Sequence, residues 1–256
     1  PPRSTLFPYT TLFRSRCSFL RNGKECTPSV CLITGKTTEN VTRKIATQIY
    51  PQQTGIKAGA SNRSRIMSMY SLTGNLRDSA FRNGADLFGV ADAACFLLPE
   101  YTGNRPQEIM PGISAVVLLG VSVPRGAFST LPKGRGEYTN TLMAGTATLR
   151  VIAYDLARQI EREGYLATIV PTEGSEFGYW YADRSTLKAD VSLKYAAFHA
   201  GLGSFGLNHL LVHPDFGPRV RMTGILTDAP LEAGRPLQPD FIHSYCAECG
   251  RCVDIC

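Results

Sequence analysis

The last eleven residues carry four cysteines whose spacing restricts both the chemistry and the fold of this chain. Cys246, Cys249, Cys252 and Cys256 are separated by two, two and three residues. Thiolates are soft ligands that bind iron–sulfur clusters and zinc. A structural zinc site normally joins two separated Cys-x2-4-Cys pairs through a longer loop, whereas cysteines at consecutive x2 spacing wrap around one cubane. The spacing therefore favours a [4Fe–4S] cluster, with zinc as the weaker alternative.

The order of the four cysteines also predicts how they divide between clusters. In bacterial-type ferredoxin domains a proline follows this run, and the fourth cysteine ligates the other of two clusters. On that pattern Cys246, Cys249 and Cys252 bind one cluster, and Cys256 binds a second cluster whose other ligands would follow in a longer chain. We therefore expect residues 241–256 to be the truncated start of a ferredoxin-type domain, and this chain by itself to hold iron substoichiometrically.

The first residues differ in character from the rest of the chain. Residues 1–15 match, codon by codon, the translation of a common sequencing adapter, so we expect them not to be native. Residues 16–66 show no clear hydrophobic period and are predicted to be non-native or disordered. Residues 1–66 contain 11 Lys and Arg against 2 Asp and Glu, whereas residues 67–256 contain 16 against 19. The overall charge of +6 therefore gives no support for a nucleic-acid-binding surface.

Residues 67–240 show the alternation of strands and helices expected for one α/β or α+β domain. Hydrophobic residues recur at three- and four-residue spacing over Thr139–Glu163, which predicts the longest helix. Ser114–Val123 is a nearly continuous apolar run rich in β-branched residues, typical of a strand buried on both faces. Further strands are predicted at 86–91, 166–170, 209–213 and 219–227, and further helical segments at 76–83 and 193–200.

The remaining cysteine and the hydropathy of the chain predict its compartment. Cys95 is isolated within residues 67–245, so it provides no disulfide framework, which is typical of a reducing compartment. The chain has no run of apolar residues long enough for a transmembrane helix. The sequence therefore predicts a cytoplasmic protein without a membrane partner.

A glycine-rich segment follows the helix predicted at 193–200. Gly201, Gly203 and Gly206 match the spacing G-x-G-x-x-G, but a dinucleotide site requires the order strand, glycines, helix. Here a helix precedes the glycines and a strand follows them. Because glycines also let main-chain amides approach a large cofactor, we favour such an approach over a dinucleotide site and over a turn without a ligand.

Together these segments resemble the superfamily of epoxyqueuosine reductases and reductive dehalogenases. The resemblance covers roughly residues 74–256. Its most specific elements are an AGLGxxGxN turn at 200–208, a PxxGxRxR-type strand entry at 214–221, an ILTD strand end at 225–228, and the cysteine run. Weaker matches in the same order are the first strand at 84–91 and the element Gly136-Glu137-Tyr138.

The resemblance implies a nitroreductase-like, corrinoid-binding domain at 67–240, followed by a ferredoxin-type domain that carries two [4Fe–4S] clusters in the intact protein. It implies that cobalamin or another corrinoid lies against the turn at 201–208 and the strand entry at 216–224, base-off and without a protein histidine on cobalt. The cofactor-binding residues that it predicts are Gly201, Gly203, Gly206, Asn208, Gly217 and Arg219.

The part of the chain that would handle the substrate departs from the family. Epoxyqueuosine reductases place an acidic proton donor where this chain has Leu187, and the nearest acid is Asp190. Their Asp-Tyr-His element is Glu137-Tyr138-Thr139 here. Tyr138 and Asp190 are therefore the candidate proton donors. The resemblance implies an oxidoreductase that reduces an epoxide, carbon–halogen or related bond with electrons from reduced ferredoxin or flavodoxin.

Two other functions fit the same residues. A non-enzymatic [4Fe–4S] electron carrier would use residues 67–240 as a docking domain. A flavin enzyme on the same fold would bind flavin in place of the corrinoid. A tRNA-bound epoxide would make RNA a partner, which the net charge of −3 over residues 67–256 does not support.

Overall fold

The computed structural model describes residues 62–172, 175–176, 179–180, 185 and 188–255. The predictions for residues 1–15, for most of the segment 16–66, and for Cys256 fall outside these residues. The described residues belong to one compact unit, Gly59–Cys256.

Helices and strands alternate along the described chain, as predicted. The helices are α1 (Asn62–Arg82), α2 (Pro106–Ile109), α3 (Arg125–Ser129), α4 (Arg135–Arg162), α5 (Leu193–His199), α6 (Ser244–Cys249) and α7 (Arg251–Ile255). The strands are β1 (Leu87–Asp92), β2 (Ala115–Ser122), β3 (Ala167–Val170), β4 (Ser175–Glu176), β5 (Tyr179–Trp180), β6 (Ser204–Phe205), β7 (Leu211–Val212) and β8 (Val220–Thr227). A short 3-10 helix, Ala93–Leu97, follows β1.

The main sheet contains four strands in the order β1-β2-β8-β3. Every neighbouring pair is antiparallel, and Val117 in β2 lies opposite Val90 in β1 and Ile225 in β8. Of the two architectures left open by the sequence, this is the α+β arrangement, because a doubly wound α/β fold requires parallel strands.

Strand β2 is covered on both faces, as its sequence predicted. Alternate side chains of a strand point to opposite faces of the sheet. Val117 and Leu119 belong to one buried cluster, which also contains residues of α1 and α4. Val116 and Leu118 belong to a second cluster, which also contains residues of the 3-10 helix and α5. The sheet therefore separates two cores, and the second core adjoins the candidate site.

Helix α4 carries the hydrophobic stripe predicted from its period. Leu149, Ile152, Leu156 and Ile160 are buried at three- and four-residue spacing. The helix begins at Arg135, four residues before the predicted start. Its first turn is polar and contributes nothing to the stripe, so the hydrophobic period did not reveal it. Within the described part of the chain, no helix is long and apolar enough to cross a membrane.

Helix α1 ends where the sequence predicted and begins earlier than the globular pattern suggested. It stops at Arg82, and Gly84 follows with φ +97°, a backbone conformation that favours glycine. Its first turn, from Asn62, lies inside the segment 16–66 that was predicted to be non-native or disordered. Leu76 and Ala80 place its second half in the core.

Candidate cofactor cavity and cysteine segment

A cavity of about 970 Å³ opens beside the second core. Four parts of the chain form most of its described walls: the loop at 100–103, the end of β3 and the residues after it at 170–172, the segment 188–195 that enters α5, and the start of β8 at 220–222. Phe205, within the glycine turn, and His209, directly after it, complete the lining. The cavity therefore includes Phe205 and residues 220–222, which belong to the two segments that the resemblance assigns to the cofactor, although its walls come from five separate segments.

One wall of the cavity is aromatic. The rings of Tyr101 and Tyr195 lie 4.6 Å apart, and both line the cavity together with Phe205. The Tyr195 hydroxyl donates a hydrogen bond to the Cys95 carbonyl at 3.1 Å. Burial raises the pKa of Tyr195 to about 12, with a further contribution from the nearby Cys95. The phenol therefore directs its proton to a carbonyl of the core, while Tyr195 forms part of the cavity wall.

Charged side chains also line the cavity. The Lys194 ammonium donates to the His209 carbonyl at 2.7 Å, and the Lys188 ammonium donates to the Thr102 carbonyl at 3.1 Å. Each bond connects two separate segments of the wall. Asp190 lies in the same lining with an exposed side chain. The structure therefore places one of the two predicted proton donors at the cavity.

Arg221 is a lining residue that the sequence analysis did not select. Its guanidinium donates to the Thr146 hydroxyl of α4 at 3.2 Å. Burial lowers the pKa of Arg221, and the nearby Tyr138 opposes that shift. Tyr138 itself packs edge-on against Phe128 at 5.4 Å and is not among the described lining residues. The second predicted proton donor therefore lies near Arg221 but outside the described lining, and its role stays a prediction. The signal for Arg221 in the sequence was its place as the second arginine of the PxxGxRxR element.

The contact between Thr146 and Arg221 leads to a prediction. Thr146→Val keeps the shape of this buried side chain but removes the acceptor for a charged donor. We expect the free energy of unfolding to fall by about 1.5–3 kcal/mol, the usual value of a hydrogen bond to a charged group. Urea unfolding measures the change, and Thr146→Ser, which keeps the hydroxyl, should lose less. Equal losses of unfolding free energy in the two variants would show that the Thr146 hydroxyl does not contribute to stability through this hydrogen bond.

The glycines of the turn are required by contacts within the chain. A Cβ atom on Gly201 would collide with the Arg235 carbonyl oxygen, and one on Gly203 would collide with the Val212 carbonyl oxygen. Gly201 also has φ +77°, in the left-handed region. A Cβ on Gly206 would lie 2.6 Å from the Asn208 side-chain oxygen. A close approach to the backbone does occur at this turn, but the groups that approach Gly201 and Gly203 are backbone carbonyls of this protein and not a cofactor.

The other predicted cofactor residues also have structural roles. The Asn208 side chain accepts a hydrogen bond from Leu210 N at 3.1 Å. Gly217 has φ +59° and exchanges two backbone hydrogen bonds with His213. The Arg219 guanidinium donates to the Val123 carbonyl at 2.6 Å. None of the six predicted cofactor residues is among the described residues that line the cavity, so their contact with a cofactor stays a prediction.

The cysteine segment folds into two short helices. Cys246 and Cys249 lie one turn apart on α6, and their side chains are half-buried. Gly250 ends that helix with φ +55°, and the exposed Cys252 follows in α7. Within the described residues, no three His, Cys, Asp or Glu side chains converge on a metal-binding position. The structure therefore does not bring these three cysteines into one site, and their role as cluster ligands stays a prediction.

Cys95 is a different kind of thiol. It is a buried residue of the 3-10 helix, and burial raises its pKa to about 12, with a further contribution from Asp92. Because only the thiolate is nucleophilic or binds metals, Cys95 is inert at neutral pH. It therefore packs as a small apolar side chain of the second core.

Comparison with known proteins identifies relatives of two kinds. The chain matches no protein-family model. It is 29% identical over 157 residues to the epoxyqueuosine reductase of Xanthomonas campestris pv. campestris, covering 60% of this chain and 40% of that protein. It is 38% identical over 157 residues to the tetrachloroethene reductive dehalogenase of Desulfitobacterium hafniense, covering 61% of this chain and 24% of that protein. The chain thus spans less than half the length of each.

Solved structures show the same two relationships at the level of the fold. One is an epoxyqueuosine reductase crystallised with an epoxyqueuosine-modified tRNA stem loop, with a TM-score of 0.51 and 16% identity over 73% of this chain and 52% of that chain. Another is the catabolic reductive dehalogenase NpRdhA, with a TM-score of 0.54 and 19% identity over 71% of this chain and 24% of that chain. The chain is therefore similar in sequence to epoxyqueuosine reductases and reductive dehalogenases and similar in fold to solved structures of both, which supports the resemblance seen in its sequence.

Proposed function

We propose that this chain is part of an oxidoreductase that uses a corrinoid and [4Fe–4S] clusters to reduce an epoxide, carbon–halogen or related bond. The observation that carries the proposal is the proximity of the large cavity to the cysteine segment. Phe205 lines the cavity, and its backbone N donates to the Phe241 carbonyl at 2.7 Å, five residues before Cys246. The names of the relatives support the proposal, since both are reductases.

The cavity suits a large planar cofactor. Its volume of about 970 Å³ lies at the upper end of the range of about 300–1,000 Å³ typical of small-molecule sites. Tyr101 and Tyr195 provide flat apolar surface, and Lys194 and Arg221 provide hydrogen-bond donors for a polar periphery. The thiols of Cys246, Cys249 and Cys252 have the soft donor chemistry that iron–sulfur clusters require. When bound, low-valent cobalt would supply the reductive chemistry and the clusters would supply single electrons.

The residues of this chain would supply protons and charge. We propose that Asp190, at the cavity, donates the proton that completes reduction. Arg221 would place a positive charge in the wall, where it stabilises a halide or alkoxide as that anion forms. Tyr138, beside Arg221 and outside the lining, is the second candidate donor.

The relatives indicate two classes of substrate and a class of electron donor. Epoxyqueuosine on a tRNA stem loop is what the solved reductase holds, and tetrachloroethene appears in the name of the dehalogenase. We propose a substrate with a reducible carbon–oxygen or carbon–chlorine bond, with RNA as a partner in the first case. A reduced ferredoxin or flavodoxin is the proposed donor of electrons.

Corrinoid titration tests the proposal. Hydroxocobalamin added to the purified chain should show a changed visible spectrum of the cobalt, with saturation at one equivalent. Arg221→Ala should weaken this binding, whereas Arg162→Ala at the exposed end of α4 should not. An unchanged cobalt spectrum would contradict the corrinoid proposal. Yellow protein with bound flavin would favour the flavin enzyme, and iron uptake without corrinoid would favour the electron carrier.

A further inference from the structure

The cysteine segment is attached to the cavity wall by its backbone. Phe205 N donates to the Phe241 carbonyl at 2.7 Å, and His243 N donates to the Phe205 carbonyl at 2.8 Å. These two bonds form a parallel bridge between β6 and the residues that precede α6. Because Phe205 also lines the cavity, these backbone hydrogen bonds connect the cavity wall directly to the residues that precede the cysteines.

The ring of Phe241 reinforces this attachment. It stacks on Phe198 at 4.5 Å and on Tyr195 at 5.9 Å. It also meets Phe205 edge-on at 6.1 Å and His199 at 6.2 Å. Offset-stacked and edge-on rings at such separations attract one another beyond the burial of their area. Two of the rings that Phe241 contacts, Tyr195 and Phe205, therefore also line the cavity.

Packing becomes sparse beyond this point. Among the described side chains of residues 242–246 and 248–255, none is buried. Tyr245, Val253 and Ile255 are 65%, 65% and 76% exposed. The helices that carry Cys246, Cys249 and Cys252 therefore depend on the residues just before them for their position relative to the cavity.

We infer that Phe241 is a positioning residue that holds the cysteine segment at a fixed distance from the cavity. The attachment itself follows from the contacts of Phe241, whereas its purpose rests on the proposed function. If Cys246, Cys249 and Cys252 bind a cluster, Phe241 sets the distance from that cluster to the cofactor. Electron tunnelling slows exponentially with distance, so a segment that moved freely would deliver electrons slowly.

Hydrogen exchange of the full chain without cofactors tests the inference. In Phe241→Ala the amides of Phe205 and His243 should exchange about tenfold faster, which corresponds to ~1.4 kcal/mol. The amide of Ile225, in the centre of the sheet, should keep its protection. Phe241→Tyr, which retains the ring, should restore the slow exchange. Phe81→Ala, which removes a 46% exposed ring of α1, serves as the matched control and should leave both amides unchanged.

Two results would overturn the inference. Unchanged exchange of both amides in Phe241→Ala would show that the backbone bridge holds without the ring. Faster exchange throughout the chain, Ile225 included, would show that Phe241 stabilises the whole domain rather than this segment. Neither result depends on corrinoid or iron. A failure of the proposed corrinoid binding can therefore be distinguished from a failure of the inference about Phe241.

Discussion

Gly201→Ala should lower the free energy of unfolding by about 2–5 kcal/mol. Gly201 has φ +77°, and a side chain in the left-handed region costs about 1–2 kcal/mol. The added Cβ would also collide with the carbonyl oxygen of Arg235, which belongs to the backbone and cannot rotate away. Such overpacking costs a further ~1–3 kcal/mol. Urea unfolding of the purified chain measures the loss.

The matched control for this variant is Gly112→Ala. Gly112 has φ +87°, but a Cβ atom there would meet nothing within 4 Å. Gly112→Ala should therefore lower the free energy of unfolding only by the cost of a side chain in the left-handed region, about 1–2 kcal/mol. An equal loss of stability in both variants would show that the close approach of the Arg235 carbonyl is not the reason for a glycine at position 201.

Cys249→Ser should remove most of the iron that the chain can bind. Serine keeps the size of the side chain but replaces a soft thiolate by a hard, neutral hydroxyl. Because mutation of residues that merely support a metal ligand costs about 10–100-fold in affinity, loss of a ligand should cost at least that much. Anaerobic reconstitution with iron and sulfide, followed by analysis of both elements, measures the effect. Cys95→Ser changes an inert buried thiol and should retain the iron.

Other outcomes of the reconstitution would have different meanings. Equal iron in Cys249→Ser and the unaltered chain would contradict the ligand role of Cys249. Zinc uptake without sulfide would favour the structural zinc alternative. A stable cluster of four irons in each chain would show that Cys256 completes the first cluster, and so would contradict its assignment to a second one.

Strand β2 and helix α4 could be predicted because their signals are local. The apolar run at 114–123 is nearly continuous, and a strand between two cores requires that pattern. The stripe through Leu149, Ile152 and Leu156 has the period of a helix that covers one face of a sheet. Each pattern reports which sides of an element are buried, and for that reason both predictions are confirmed.

The start of α4 and the role of Arg221 could not be predicted in the same way. The first turn of α4 has no apolar stripe, so periodicity cannot detect it. Arg221 reaches the cavity because Thr146, on a different element, accepts its hydrogen bond. The sequence analysis selected Arg219 and not Arg221, and only the structure shows that Arg219 bonds to the Val123 carbonyl whereas Arg221 lines the cavity.

The four cysteine positions determined the proposed cluster chemistry without any structure, because ligand type and spacing are properties of a short stretch of chain. The glycine pattern similarly predicted a close approach to the main chain near residues 201–206, which the sequence analysis assigned to a large cofactor. Only the tertiary structure decided what approaches, namely the carbonyls of Arg235 and Val212. It also decided that Phe241 joins the cysteine segment to the cavity wall. These contacts join distant parts of the chain, so they follow from how the two cores pack and not from any local pattern.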